Sequence, residues 1–386
     1  MSSSVIVIGG GISGIAAAYE LARRGVSVTL LERDALASMA SGWTLAGVRQ
    51  SGRHPAELPL AQAAVRRWEK LSDELGSDVE YRQEGNLRLA LGEGHVPTIR
   101  DVVETGNGAG IAMTYLDGAQ AVRDVAPPLT EDLVGASFCP TDGHANPNLT
   151  VAAFAGAAQR AGAELRTGVE VAAIQTDGSR VTGVMTTDGA IACERVVLVA
   201  GVYTPYLLGP LGIHLPLSVV HVPAVQTVPL PPMLGQVLGV AGGGFAARQE
   251  ASGRFRLTGF SNPWDETWHD EENVLPATDQ VRDTIAWATR LLPTIGNARV
   301  ARVWGGLIDN TPDALPVIER TPEIDGLIVA AGFSGHGFCL GPVTGEILAD
   351  LATTGTTSHP IASFNRARLD ALLDSVHQPE AVTLHG

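Results

Sequence analysis

Cysteine, long apolar runs and metal-ligand clusters are scarce in this chain, and each shortage excludes a class of protein. The 386 residues include three cysteines, Cys139, Cys193 and Cys339, and no C-x-x-C pair. This spacing excludes a disulfide framework and an iron–sulfur site within the chain. There is no apolar run of ~18 residues and no basic leader followed by an apolar stretch, so we expect no membrane span and a cytoplasmic location. The histidines show no metal-ligand spacing, and we expect no metal site.

Positive charge is also in short supply. Lys and Arg together number 26 against 41 Asp and Glu, which gives a net charge of −15. An acidic chain of this kind argues against nucleic acid and anionic membranes as partners. With 45% hydrophobic and 17% charged residues, the chain can build a sizeable core in one large or two medium domains.

The first thirty residues carry the clearest motif. Val5 to Ile8 is an apolar run without alternation, which predicts a strand buried on both faces of a parallel sheet. A G-x-G-x-x-G segment follows at residues 9 to 14, then a helical pattern from Ile12 to Arg24. A second strand pattern stops at Glu32. This order predicts a dinucleotide-binding α/β fold of the Rossmann type.

Each residue of the motif has a physical role in that fold. Gly9 allows the tight turn, Gly11 lets a pyrophosphate approach the backbone, and Gly14 lets the helix pack on the strand. The helix N-terminus offers free N–H groups and partial positive charge to the phosphates. Glu32 accepts hydrogen bonds from ribose hydroxyls and disfavours a 2′-phosphate, so NADP is not expected.

The rest of the chain alternates between strand and helix patterns. The run V-V-L-V-A-G predicts a buried strand that ends at Gly201, at the sheet edge where such folds bind ligands. Near the C-terminal end, an apolar strand leads into the glycine-rich turn G-F-S-G-H-G-F and then a helix, repeating the opening arrangement. Other predicted helices are 58–76, 96–110, 149–161, 279–292 and 342–351, and other strands include 81–91, 164–174, 183–187, 191–199, 302–309 and 327–331.

Three patches together resemble the D-amino-acid oxidase superfamily of FAD enzymes. They are the opening motif with Glu32, the V-V-L-V-A-G strand, and the block W-G-G-L-I-D-N-T-P-D-A-L-P-V-I-E-R-T-P with G-L-I-V-A-A-G-F-S-G-H-G-F. Within it, the chain looks similar to glycine and sarcosine oxidases, D-amino-acid dehydrogenase and the β subunits of heteromeric amine dehydrogenases. The segment Ala46 to Ala61 resembles opine oxidase β.

This resemblance implies a glutathione-reductase-type FAD-binding Rossmann domain with an inserted, mixed β-sheet substrate domain. The implied FAD-binding domain comprises residues 1–50, 141–205 and 296–386, and the substrate domain 51–140 and 206–295. Together, motif and resemblance assign FAD-binding residues at both ends and in the middle of the chain. They are Gly9, Gly11, Ile12, Ser13, Gly14, Glu32, Arg33, Ser41, Ala46, Gly47, Val171, Gly201, Gly332, Gly335, His336, Gly337 and Phe338.

The chain departs from the family at the substrate carboxylate. Glycine oxidases of the superfamily carry an arginine just after the W-x-G-L strand and another in the glycine loop, where this chain has Ile308, followed by Asp309, and Gly335. The carboxylate clamp is therefore either absent or supplied by other residues. The candidates for it are Arg49, Arg248, Arg256 and Arg302.

The resemblance implies oxidation of the C–N bond of a D-amino acid, glycine or an N-alkyl amino acid such as an opine. In that chemistry a hydride passes to flavin N5 and the imine product hydrolyses. We expect His336 and Arg49 to serve catalysis, although His336 equally suits loop packing, and Cys339 suits a buried thiol better than a flavin attachment. Two alternatives stay open: a flavin-carrying β subunit that passes electrons to an iron–sulfur partner, and an NAD-linked dehydrogenase.

Overall fold

A computed structural model of the chain describes residues 4–264 and 274–374. The strands are β1 (Val5–Ile8), β2 (Val28–Glu32), β3 (Gly47–Val48), β4 (Asn86–Ala90), β5 (Thr114–Asp117), β6 (Gly135–Cys139), β7 (Gly143–His144), β8 (Glu164–Thr167), β9 (Val171–Thr176), β10 (Val181–Thr186), β11 (Gly189–Ala192), β12 (Arg195–Leu198), β13 (Ser218–Thr227), β14 (Val237–Val240), β15 (Ala246–Gln249), β16 (Phe255–Thr258), β17 (Asn262–Pro263), β18 (Val300–Asn310), β19 (Val317–Arg320) and β20 (Leu327–Ala331).

The helices alternate with these strands. They are α1 (Ile12–Arg23), α2 (Ala40–Trp43), α3 (Leu58–Trp68), α4 (Leu71–Leu75), α5 (Val96–Gly108), α6 (Gly118–Val125), α7 (Pro147–Arg160), α8 (Thr204–Leu208), α9 (Thr278–Leu291), α10 (Gly337–Thr353) and α11 (Ala367–Asp374). Across residues 4–264 and 274–374, no helix combines the length and apolar character that a membrane crossing needs.

The first sheet holds both glycine-rich turns. Its strand order is β19-β20-β12-β1-β2-β8, with β1 parallel to β2 and β12, and β20 parallel to β12. All residues of β1 and β20 are buried, as expected for strands covered on both faces. Because parallel strands end at one edge, the turns that follow β1 and β20 meet there. The sequence predicted this α/β arrangement, and close structural relatives described below share it.

Helices α1 and α10 cross on one face of this sheet, and glycines make the crossing possible. A Cβ atom on Gly341 would lie 2.6 Å from Ile12 Cγ2, and one on Gly345 would lie 2.4 Å from Ala16 Cβ. Only residues without a side chain allow so close an approach. The crossing places the N-termini of both helices at the same sheet edge.

The second sheet is mixed and forms a wall beside that edge. It runs β17-β13-β16-β15-β14-β4-β6-β5, and the long strand β18 also pairs with β13. The β13–β18 ribbon aligns Val220 with Ile308 and Val222 with Gly306. The predicted boundary assigns β18 to the FAD-binding domain, yet β18 belongs to this second sheet. The two-domain division otherwise stays a prediction.

Several predicted elements are shorter or divided in the structure. The helix predicted at 58–76 breaks into α3 and α4, and the strand predicted at 164–174 breaks at Gly168, whose φ is +73°. The strand predicted at 191–199 is split, because residues 189–192 turn back onto β10 while β12 joins the first sheet. The strand predicted at 81–91 covers only β4, and the helix predicted at 342–351 begins earlier, at Gly337.

Candidate active site

One cavity of about 620 Å³ runs between the two glycine-rich turns and the wall of the second sheet. Its lining contains most of the residues that the sequence assigned to FAD. They are Gly9, Gly11, Ile12, Ser13, Gly14, Glu32, Arg33, Ser41, Val171, Gly201, Gly335, His336, Gly337 and Phe338. The described lining does not include Ala46, Gly47 or Gly332. Thus residues from the two ends of the chain share one cavity, while their contacts with FAD stay a prediction.

The turn at residues 9–14, called the opening turn, has the tight geometry that the G-x-G-x-x-G motif requires. Gly9 has a φ of +111°, and a Cβ atom there would lie 2.4 Å from the carbonyl oxygen of Val199. A Cβ atom on Gly14 would lie 2.0 Å from the carbonyl oxygen of Gly9. By contrast, a Cβ atom on Gly11 would meet only the Ser41 hydroxyl, at 3.0 Å, so Gly11 leaves room on the cavity side.

Polar groups at the end of β2 complete this part of the cavity. The Glu32 carboxylate accepts hydrogen bonds from the backbone N–H groups of Gly10 (2.6 Å) and Asp34 (2.8 Å). Ser41 Oγ accepts one from the N–H of Ile12 at the start of α1, at 2.9 Å. Arg33 lies over the ring of Tyr203, with its guanidinium carbon 4.4 Å from the ring centre. The N-terminus of α1 and the nearby guanidinium of Arg33 both attract anions.

The glycine-rich turn at residues 332–338, called the closing turn, is held in place by hydrogen bonds to Asp309. The carboxylate of Asp309 accepts a hydrogen bond from the N–H of Gly332 at 2.7 Å, and its backbone carbonyl accepts one from Ser334 at 3.0 Å. Burial raises the pKa of Asp309 to about 6, against the opposing effect of the N–H groups of Gly332 and Phe333. Asp309 lines the cavity but was not assigned a role from sequence.

His336 is held by a carboxylate that sequence reasoning missed. Its Nδ1 lies 3.0 Å from Glu57 Oε2, and Arg53 NH1 lies 3.4 Å from the same oxygen. Burial and the charge of Arg53 lower the pKa of His336 to about 4, despite Glu57. Burial alone raises the pKa of Glu57, but His336 and Arg53 outweigh it and lower that pKa to about 2. At neutral pH, an ionised Glu57 therefore accepts from Nδ1 of a neutral imidazole, which leaves the lone pair on Nε2.

A signal for Glu57 is present in the sequence. Arg53 and Glu57 are four positions apart, the spacing of an ion pair on one helix face. At the surface such pairs are common and contribute little, so the spacing by itself does not indicate a site. Here Glu57 is completely buried, and only the fold brings it to His336.

The four arginines predicted to bind substrate lie outside the described lining of the cavity. Arg248 and Arg256 lie opposite each other on β15 and β16, and the chain segment at 42–45 covers them. Arg256 donates to the carbonyl of Thr44 at 2.6 Å and to Glu250 at 2.8 Å, and Arg248 donates to the carbonyl of Leu45. Each guanidinium thus holds the segment that lines the cavity.

Arg49 and Arg302 occupy two further environments. Arg49 is buried beside Arg53 and Arg88, and burial and these two cations lower its pKa. It donates to the carbonyl of Ser51 at 2.8 Å. Arg302 is exposed and lies over the ring of Trp304, 5.2 Å from its centre. The prediction that these arginines clamp a substrate carboxylate has no support in this geometry.

Cys339 follows the closing turn but is not placed to react. It is buried, its Sγ lies 3.4 Å from the carbonyl oxygen of Arg49, and burial raises the pKa of its thiol. A buried neutral thiol is a poor nucleophile.

The cavity fits the adenine, pyrophosphate and ring portions of a dinucleotide. Gly11 leaves an open approach beside the N-terminus of α1, and Glu32 lies at the end of β2 where a ribose would bind. Gly335 to Phe338 present a second helix N-terminus at the other end. The residues present therefore fit FAD, although their contacts with it stay a prediction.

Comparison with known proteins gives consistent matches along the whole chain. Residues 4–351 match the family described as "DAO: FAD dependent oxidoreductase". The chain is 30% identical over 371 residues to sarcosine oxidase subunit beta of Arthrobacter sp, covering 90% of this chain and 86% of that protein. It is 28% identical over 383 residues to 4-methylaminobutanoate oxidase (formaldehyde-forming) of Paenarthrobacter nicotinovorans, covering 97% of this chain but 46% of that protein.

Solved structures share the fold over nearly their full length. The L-proline dehydrogenase from P. horikoshii superposes with a TM-score of 0.89 at 29% identity, covering 96% of this chain and 98% of that chain. The glycine oxidase from Geobacillus kaustophilus superposes with a TM-score of 0.88 at 28% identity, covering 95% of this chain and 98% of that chain.

Proposed function

The chain belongs to the DAO family of FAD-dependent oxidoreductases, and on that basis we propose that it oxidises the C–N bond of a small amine or amino acid. The observation that carries this proposal is the single cavity between the opening and closing turns, with a wall of the second sheet beside it. Of the substrates considered above, an N-alkyl compound is favoured, because the names of two relatives specify sarcosine and 4-methylaminobutanoate. The family match favours FAD over the NAD-linked alternative.

FAD would be held by the opening turn, Glu32 and the closing turn, and would accept a hydride, with its two electrons, from the carbon beside nitrogen. The amine nitrogen must lose its proton for this step, and the resulting imine then adds water to give a carbonyl compound and an amine or ammonia. The chain positions the substrate and keeps water away from it, and the reaction needs no obligatory acidic group. The apolar side chains of β13 and β18 exclude water from the substrate side.

His336 is the residue best placed to accept a proton during the reaction. As a neutral imidazole with a lone pair on Nε2, it accepts a proton or a hydrogen bond at neutral pH. Glu57 acts through His336 by fixing Nδ1, and Arg53 keeps Glu57 ionised. Glu57 is therefore a positioning residue in this proposal.

A second candidate function is that of a flavin-carrying subunit in a heteromer. Several relatives are named sarcosine oxidase subunit beta, and three of these are 25–30% identical to this chain. In this case electrons leave the chain for a partner subunit that carries the acceptor. The reaction at the cavity is the same in both candidates.

The test is anaerobic mixing of the purified, FAD-loaded chain with a panel of D-amino acids, glycine, sarcosine, opines and N-methylamines while flavin absorbance is followed. Loss of the flavin bands with any member supports C–N oxidation, and no loss with any member contradicts it. Subsequent admission of air separates the candidates. Prompt reoxidation identifies an oxidase that acts alone, whereas reoxidation only by an added dye acceptor favours the subunit.

A further inference from the structure

No Lys or Arg of the described residues lines the substrate side of the cavity, and this bears on the kind of substrate it accepts. Among lining residues that the structure describes, Arg33 is the single Lys or Arg, and it lies at the nucleotide end beside Glu32. The chain contains no Lys or Arg in residues 1–3, 265–273 or 375–386. Every Lys and Arg side chain therefore lies within the described residues.

The arginines nearest the substrate side are already engaged. Arg256 donates to the carbonyls of Thr44 and Gly42, at 2.6 and 3.4 Å, and pairs with Glu250. Arg248 donates to the carbonyl of Leu45 and contacts His144 Nδ1 at 3.0 Å. Freeing either guanidinium for a ligand would break several buried hydrogen bonds, and each is costly to leave unmade.

The wall formed by β13 and β18 is apolar where it lines the cavity. In the β13–β18 ribbon, Val220 faces Ile308 and Val222 faces Gly306, so these side chains share one face of the sheet, and all four line the cavity. A carboxylate buried against this wall would find no charge-assisted partner.

Among the residues that the structure describes, the charged group that lines the substrate side is negative. The Asp309 carboxyl lines the cavity next to Ile308 and is bound to the N–H of Gly332. His336, the other titratable group here, is neutral. The local charge therefore attracts a substrate ammonium and repels a substrate carboxylate.

We infer that the substrate is a primary or secondary alkylamine whose carbons bonded to nitrogen carry no carboxylate, with an apolar chain against Val220, Val222 and Ile308. This inference rests on the proposed function and narrows it from amines and amino acids in general. A carboxylate several carbons from the nitrogen remains compatible with it, because that group need not touch the wall.

Matched pairs that differ only in the α-carboxylate test the inference directly. The FAD-loaded chain is mixed anaerobically with N-methylbutylamine or with D- or L-N-methylnorvaline, and with butylamine or D- or L-norvaline. The expected second-order rate constant for flavin reduction is roughly 10- to 100-fold higher for the amine of each pair, because a lost charge-assisted contact is of that size. Equal or faster reduction by the amino acids would overturn the inference.

A binding measurement separates this inference from the proposed function. The flavin spectrum of the loaded chain is titrated with butylammonium and with pentanoate, neither of which needs to react. Saturable perturbation by butylammonium alone supports the inference, and saturable perturbation by pentanoate contradicts it. Failure of all amines and amino acids to reduce the flavin contradicts the proposed function, whatever the titration gives.

Ile308→Arg supplies a gain-of-function arm, with Ile308→Leu as its matched control. The arginine should move the preference within each pair toward the amino acid by roughly tenfold, since it adds a cation at the wall. Leucine should leave the preference for the amine unchanged. If the arginine variant folds and binds FAD but keeps the native preference, Ile308 does not set the selectivity and the inference is wrong.

Discussion

The two ends of the cavity are built in different ways. At the nucleotide end, the opening turn and Glu32 come from one short stretch of sequence, and each has a fixed role in a known fold. At the substrate end, the lining comes from β13, β16, β18 and the 42–45 segment, which are far apart in sequence. Local motifs therefore identify the first end, whereas the second depends on sheet pairing and on which side chains are already bonded.

Gly11→Val gives the largest expected effect and tests the nucleotide end. The new side chain projects into the cavity beside Ser41, so we expect FAD retention to be lost while the chain still folds. Flavin absorbance per chain and circular dichroism measure the two properties. Gly92→Ala is the matched control, because a Cβ atom there meets nothing within 4 Å. Normal flavin content in the valine variant would place the cofactor elsewhere.

Glu57→Gln tests the hydrogen bond between Glu57 and His336 of the closing turn. Removing a buried charge that pairs with Arg53 should cost about 3–5 kcal/mol at pH 7. Because the pKa of Glu57 is lowered from 4.5 to about 2, its stabilising effect is present above pH 4.5 and is lost as the pH falls toward 2. The difference in Tm between variant and native chain should therefore narrow over that range.

A control variant accompanies this measurement. Glu69→Gln changes an exposed carboxylate that accepts one hydrogen bond from Gln83, and it should alter Tm little. The rate of flavin reduction at saturating amine should fall in Glu57→Gln and not in Glu69→Gln. A Glu57→Gln variant with native rate and native Tm would show that His336 does not depend on Glu57.

Arg256→Gln tests whether Arg256 holds the 42–45 segment in place or binds a substrate carboxylate. Losing the hydrogen bonds to Thr44 and Glu250 should reduce the free energy of unfolding by about 2–3 kcal/mol. Arg302→Gln, on an exposed side chain, should change it by less than about 0.5 kcal/mol. If Arg256→Gln instead raises KM for amino acids without lowering Tm, Arg256 is a substrate clamp after all.

Asp309→Asn should have the smallest effect, a stabilisation whose size depends on pH. The pKa of Asp309 is raised from 3.8 to about 6, so the folded chain loses stability as the pH rises through this interval. Asparagine removes that loss and still accepts from Gly332, so the variant should be more stable at pH 8 by on the order of 1–2 kcal/mol. The two chains should converge below pH 3.8, and a variant less stable at pH 8 would contradict the assignment.

The sequence predicted the α/β fold and the FAD-dependent family, because glycines at fixed spacing require one backbone geometry. Most residues that it assigned to the two turns line one cavity, and their contacts with FAD stay a prediction. It did not predict Glu57, since its contact with His336 spans most of the chain. It also proposed Arg248 and Arg256 as substrate ligands, and neither lines the cavity. That the 42–45 segment covers them follows from hydrogen bonds that no local pattern encodes.

The most direct test of the central claim is the flavin content of the purified chain. If residues from the opening and closing turns share one cavity for FAD, the protein is yellow, and denaturation releases one FAD per chain. A colourless protein that added FAD does not reconstitute would contradict the account.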